Sequence, residues 1–183
     1  MISEINKIKS FDSITYLHCI NVGNLAKDFS TYLNIYFNYN INIEMIQLCG
    51  DLHDIGKIKL DFNILNKKGH LTEKEFDHIK EHPQLGLRYL ELLQMEIPLE
   101  LKYSVLCHHK GIENTGYPYV NIEIPKEIQV YVDIITICDI FDALTSKRSY
   151  KNAFEKDNTF DIMDKSNIIN PYLYKIFKSY INI

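Results

Sequence analysis

No two of the four cysteines, Cys19, Cys49, Cys107 and Cys138, stand at CxxC spacing, which excludes a cysteine-pair motif and leaves them as reduced thiols filling core space. Long apolar runs are missing as well. Stretches such as Ile134 to Ile137 fall far short of the roughly 20 residues that cross a bilayer, and the N-terminus has no apolar signal core, so the expectation is a cytoplasmic protein with no membrane partner. Positive charge is scarce: 20 Lys and Arg face 24 Asp and Glu, the net charge is -4, and Arg88 and Arg148 are the only arginines. That balance excludes a surface built for a nucleic-acid polymer. No repeat, low-complexity tract or Ser/Pro linker divides the 183 residues, which predicts one domain over 1–183 with its core at about 13–177 and no separate regulatory domain. A domain of this length buries roughly 70% of its unfolded surface, so any metal is expected to serve chemistry rather than folding.

What is present is apolar residues at helical spacing, and the fold class predicted is an all-α bundle. A long helix is expected over 13–36, ended by the Asn-rich stretch 38–42, and a second over 43–54. Gly56 opens a loop to Leu71. Thr72 with Glu75 reads as a capping box starting a helix to about Lys80. Pro83 and Pro98 fit the starts of two further helices, 110–125 reads as loop, 126–145 as a long helix, and two weaker helices follow at about 154–164 and 171–180.

Histidine is the surplus, seven in all. His53 and Asp54 are adjacent at the end of an apolar helix; neighbouring helical residues diverge by about 100°, so the pair can serve two metals with the carboxylate between them, or equally can satisfy helix-end backbone groups. Asp139 interrupts the apolar run 134–141, where an unpaired charge costs several kcal/mol and asks for a partner. His18, His82, His108 and His109 are separated from these by about one helix and one loop each, so every helix delivers one or two ligands to a common interior point. Five imidazoles and two carboxylates are too many for one ion and suit two sharing Asp54, about 3.5–4 Å apart. His70 and His78 read as surface residues, and Asp142, one turn past Asp139, as an acceptor that orients a ligand histidine.

This ordered series, with Gly116-Tyr117-Pro118, Leu52-His-Asp-Ile-Gly-Lys-Ile58, the segment from Ile64 through Thr72, His82-Pro-Gln-Leu-Gly86 and the segment from Asp139 to Lys151, resembles the HD-GYP subgroup of the HD-domain phosphohydrolase superfamily. The resemblance implies a helical HD-domain bundle with a binuclear iron or manganese site, hydrolysing cyclic di-GMP. Carried over by position, His18, His53, Asp54 and Asp139 would hold one metal and Asp54, His82, His108 and His109 the other, with a hydroxide bridging the metals as nucleophile. Lys57 would touch the phosphate or protonate the leaving group. Arg148 and Lys151 would grip the ligand phosphates, and Tyr117 belongs to the same substrate-facing motif. Read without the family, Lys57 is equally a solvated lysine and Arg148 an exposed ion-pair partner.

The chain departs from the family pattern at two places. Lys110 stands where Glu is usual after the His-His pair, and Tyr119 to Ile124 is short and lacks the usual glycines. Ile14 replaces the Glu of three-metal members, so two metals and the linear product pGpG are expected. The alternatives are an HD phosphohydrolase for another cyclic dinucleotide or nucleotide phosphoester, and a non-catalytic module binding a cyclic dinucleotide or a protein. Any regulatory partner would be a separate molecule.

Overall fold

Short polar side chains cap the helices where the sequence supplies them. In the computed structural model, which describes residues 1–111, 115–119, 122–146 and 156–182, Asp12 accepts from the Thr15 backbone N–H at 2.8 Å and separates α1 (Ile2–Phe11) from α2 (Ser13–Phe37). α2 ends where Asn38 turns left-handed, at φ 56°, a conformation that Asn tolerates better than most residues. Asn42 caps α3 (Ile43–Leu52). A 3-10 turn (Ile55–Lys59) and a single-turn helix α4 (Phe62–Leu65) follow. Thr72 and Glu75 form both bonds of the capping box that starts α5 (Glu73–Ile79). The chain continues through α6 (His82–Glu91), α7 (Leu99–Cys107), α8 (Lys126–Thr145), α9 (Lys156–Met163) and α10 (Pro171–Ile181). Among the described residues there is no strand, only one isolated bridge between Lys110 and Gly116.

The core explains the order of packing. α8 is apolar on nearly every side, with Ile134, Ile135, Ile137 and Cys138 fully buried, as a helix surrounded by others must be. It lies against α2, α3 and α7. Phe177 of α10 meets Phe29 of α2 edge-on at 5.1 Å and Phe141 of α8 at 5.2 Å, and the fully buried Phe29 and Phe177 each contribute roughly 1.5–3 kcal/mol by leaving water. The four cysteines are buried and free, as expected of core thiols. No helix among the described residues is long and apolar enough to cross a membrane.

Three expectations need correction. The helix expected over 43–54 stops at Leu52, with His53 at its C-cap, and the chain tightens into the 3-10 turn. The loop expected from Lys57 to Leu71 contains α4. α1 precedes the first helix expected, where Ile2, Ile5, Ile8 and Phe11 recur at every third residue; it docks on the 3-10 turn while buried Glu4 accepts from the Tyr89 hydroxyl of α6.

Candidate metal centre

His53 and Asp54 end up beside the start of α6 because the 3-10 turn approaches it at backbone distance. A Cβ on Gly56 would lie 1.9 Å from the His82 carbonyl oxygen and 2.5 Å from the Gly86 nitrogen. Only glycine permits that contact, so Gly56 draws His53-Asp54 up to His82 rather than merely stopping a helix. Gly116 plays the matching part in its loop: its φ is +75°, and an added Cβ would meet the His109 carbonyl oxygen at 2.0 Å. The fold-back lets the Tyr117 N–H donate to that carbonyl at 3.0 Å and lays the Tyr117 ring on the His109 ring, centroids 4.6 Å apart.

The histidine tautomers follow from what their outer nitrogens touch. His53 Nδ1 lies 2.7 Å from the Gly50 carbonyl, His82 Nδ1 2.8 Å from that of Ile79, and His108 Nδ1 2.9 Å from that of Ser104. A carbonyl only accepts, so each Nδ1 carries the proton and each Nε2 turns inward as a lone pair when the ring is neutral. His18 is held similarly: its Nδ1 donates to Asp142 Oδ2 at 2.6 Å while Nε2 meets Asp139 Oδ1 at 2.9 Å. Asp142, whose other oxygen accepts from Ser146 at 2.8 Å, thus orients a histidine as its spacing suggested.

Asp54 lies between two groups of imidazoles. Its Oδ2 is 3.4 Å from His53 Nε2, 3.7 Å from His18 Nε2 and 2.5 Å from Lys57 Nζ. Its Oδ1 is 3.2 Å from His82 Nε2 and 3.8 Å from His108 Nε2. Asp139 closes the first group, at 3.7 Å from His53 Nε2, and reaches the second through His109 Nδ1 at 3.8 Å. The structure therefore brings together all seven residues expected to ligate, from α2, the α3 end, the start of α6, the α7 end and α8. Donor atoms of His18, His53 and Asp54, of His82, His108 and His109, and of His53, His108 and Asp139 each lie within 4.8 Å of one another.

This donor set fits divalent cations. His53 Nε2 and Asp54 Oδ1 are buried without a hydrogen-bond partner, and such orphaned atoms are costly unless something fills the gap. His82 Nε2 and His108 Nε2 face each other at 3.1 Å with both protons committed on the far side, so two lone pairs meet where a cation would separate them. Burial pushes His82 down to about 3 and His108 down to about 4, with neighbouring cationic groups adding to the effect, and it also drives His109 well below its ordinary value. Burial alone would raise Asp54 and Asp139. Lys57 and the histidines around Asp54, and His18 and His53 beside Asp139, outweigh it and hold both carboxyls well below the usual range. His53 goes the other way from its group: burial lowers it, but Asp54 and Asp139 raise it overall.

Of the remaining expectations, Lys57 reaches Asp54 directly and Tyr117 packs on His109, while Arg148 and Lys151 lie outside the described residues. His70 is exposed. His78 is half-buried, and its Nε2 accepts the Asp61 N–H at 3.3 Å, so it ties α5 to the start of α4. One contributor has no sequence signature: Thr136 of α8, buried three residues before Asp139, donates to the His108 carbonyl at 2.8 Å and pins the His108-His109 turn to α8.

Residues 21–168 match the HD domain family model. The chain is 31% identical over 178 residues to a cyclic di-GMP phosphodiesterase of Pseudomonas aeruginosa, covering 97% of this chain and 42% of that protein. It is 31% identical over 170 residues to a 3'3'-cGAMP-specific phosphodiesterase of Vibrio cholerae, covering 86% of this chain and 35% of that one. The chain thus spans less than half the length of these curated relatives. In fold it is similar to the HD domain of the L. monocytogenes phosphodiesterase PgpH, at a TM-score of 0.64 and 24% identity over 88% of this chain and 80% of that one. The family match over most of the chain, the helical architecture and the buried His-Asp pair lead to one conclusion: this chain belongs to the HD-domain family.

Proposed function

We propose that this chain hydrolyses a phosphodiester bond of a cyclic dinucleotide, cyclic di-GMP in the first instance, to the linear dinucleotide pGpG, using two divalent ions, iron or manganese. The observation that carries the reading is Asp54, a buried carboxylate with one oxygen turned to His18 and His53 and the other to His82 and His108. One ion would be held by His18, His53, Asp54 and Asp139, the other by Asp54, His82, His108 and His109. Bound there, the ions supply charge neutralisation on the phosphate oxygens and water that is nucleophilic near neutral pH. The carbonyls of Gly50, Ile79 and Ser104, and the Asp142 carboxylate, fix the imidazoles so that no ring has to reorient during turnover. Lys57 Nζ, already beside Asp54, is the proton donor to the departing ribose oxygen as the P–O bond breaks, and its charge faces the same phosphate. Tyr117 holds the His109 ring, and Arg148 and Lys151 bind the distal phosphate. The two-ion count rests on position 14, where α2 carries Ile one turn before His18. The relatives named for cyclic di-GMP support the substrate.

The test is purified protein loaded with iron or manganese under reducing conditions, given cyclic di-GMP and followed by chromatography. Accumulating pGpG is expected; absence of cleavage at full metal occupancy overturns the reading. A second substrate has its own support, since relatives specific for 3'3'-cGAMP match this chain as strongly in identity and Lys110 alters the loop beside the site. A panel of both dinucleotides separates the two: faster cleavage of 3'3'-cGAMP assigns the chain to that substrate.

A further inference from the structure

Beside the metal centre lies a cleft of about 390 Å³ between the 3-10 turn, α4 and α5. It is joined to the centre at two points. Lys57, which lines the cleft, bonds Asp54, and Ile79, which also lines it, gives its carbonyl to His82. Its walls are apolar, from Ile64, Leu65, Leu71 and the ring of Phe76, and Lys67 and His70 stand among the lining residues as donors. Lys67 is not loose: both oxygens of Glu75 hold its ammonium, at 2.8 and 2.7 Å, and Glu75 is the acidic member of the capping box that starts α5. Phe76, 46% exposed, is outside the core; the Lys80 ammonium lies 4.6 Å from its ring centroid on one face, which leaves the other for a ligand.

We propose that this cleft is the subsite for one purine base of the substrate, and that it selects guanine. The inference rests on the cyclic-dinucleotide reading above. A phosphate over Asp54 carries its base one ribose away, and the cleft is the space that opens next to the cluster on Lys57 and Ile79, the two lining residues bonded to Asp54 and His82. A volume of this size lies in the range of small-molecule sites, about 300–1,000 Å³, with room for a purine and part of its ribose. Apolar walls with an aromatic side chain suit the flat faces of a base. The polar lining then discriminates: Lys67 and His70 offer N–H groups, which guanine meets with its O6 and N7 acceptors, whereas adenine presents an amino donor where guanine has O6.

The experiment compares kcat/KM for cyclic di-GMP with kcat/KM for methyl p-nitrophenyl phosphate, a phosphodiester with no base, in the metal-loaded protein. Phe76→Ala is expected to lower the ratio of the first to the second about tenfold. Phe76→Leu, which keeps the bulk and removes the aromatic face, should lower it as well, and thermal melting of both variants verifies that they fold. Lys67→Ala should narrow the preference for cyclic di-GMP over cyclic di-AMP. Ratios and preference within about twofold of the parent protein, with cyclic di-GMP still cleaved, overturn the cleft assignment and leave the proposed function standing. A parent protein that cleaves the small diester and no cyclic dinucleotide overturns the substrate reading and the cleft's occupant with it.

Discussion

The two ends of the buried cluster are made of different chemistry. Around His18 and His53 stand two carboxylates, Asp54 and Asp139, with Asp142 behind His18 and Lys57 beside Asp54. The other end consists of three imidazoles, His82, His108 and His109, with Asp54 Oδ1 facing His82 and His108 and Asp139 3.8 Å from His109. The difference sets how each end behaves without metal. At the carboxylate end the negative charge is offset from within, by Lys57 and by a His53 whose proton is held above its usual range. At the imidazole end burial keeps the rings neutral down to about 3 for His82 and about 4 for His108, and their lone pairs face one another. A proton on His53 at the carboxylate end is therefore held more tightly than one on His82 or His108 at the imidazole end.

The sharpest way to break this comparison is to remove what both ends share. Asp54→Ala should abolish binding of both ions and lower activity by about 10³-fold or more, the equivalent of several kcal/mol of lost charge stabilisation; a variant retaining both ions in elemental analysis would contradict the bridging role. Acid should separate the ends next. A proton on His53, held above the ordinary histidine value of about 6.5, competes with the ion at the carboxylate end, so that ion is lost first as pH falls. At the imidazole end competition begins only as pH approaches the values near 4 and 3 of His108 and His82. Metal content after dialysis at stepwise lower pH should drop from two ions to one before it drops to none, and simultaneous loss would refute the asymmetry. Asp142→Asn should weaken the carboxylate-end ion alone, by roughly 10–100-fold, as second-layer substitutions do, which competitive metal titration reads directly. The smallest effect is expected from Thr136→Val, about 1 kcal/mol in thermal or denaturant unfolding for the lost bond to the His108 carbonyl, with weaker binding at the imidazole end only.

The same asymmetry marks what could be seen in the sequence. The candidate ligand series was legible because it consists of isolated polar residues in apolar helices: Asp139 inside an isoleucine-rich run asks for a partner. The long α2 and α8 were legible because their caps and breakers, Asn38 to Asn42 and Pro125, are local signals. The parts that shape the site were not. The carbonyls of Gly50, Ile79 and Ser104 belong to the backbone, so no residue type announces them. The contact between Gly56 and α6 joins segments that are distant in the chain, and Gly56 read as a helix stop because glycine's commonest local meaning is a boundary. The single-turn α4 falls below the length at which periodicity says anything, and the cleft above it arises only when α4 and α5 meet.

Crystals grown with manganese or iron and measured at the metal's absorption edge test the central claim most directly. Two anomalous peaks are predicted, one bounded by His18, His53 and Asp139 and the other by His82, His108 and His109, with the Asp54 carboxylate between them. A single peak at full loading, or peaks away from these residues, would contradict a two-ion centre bridged by Asp54.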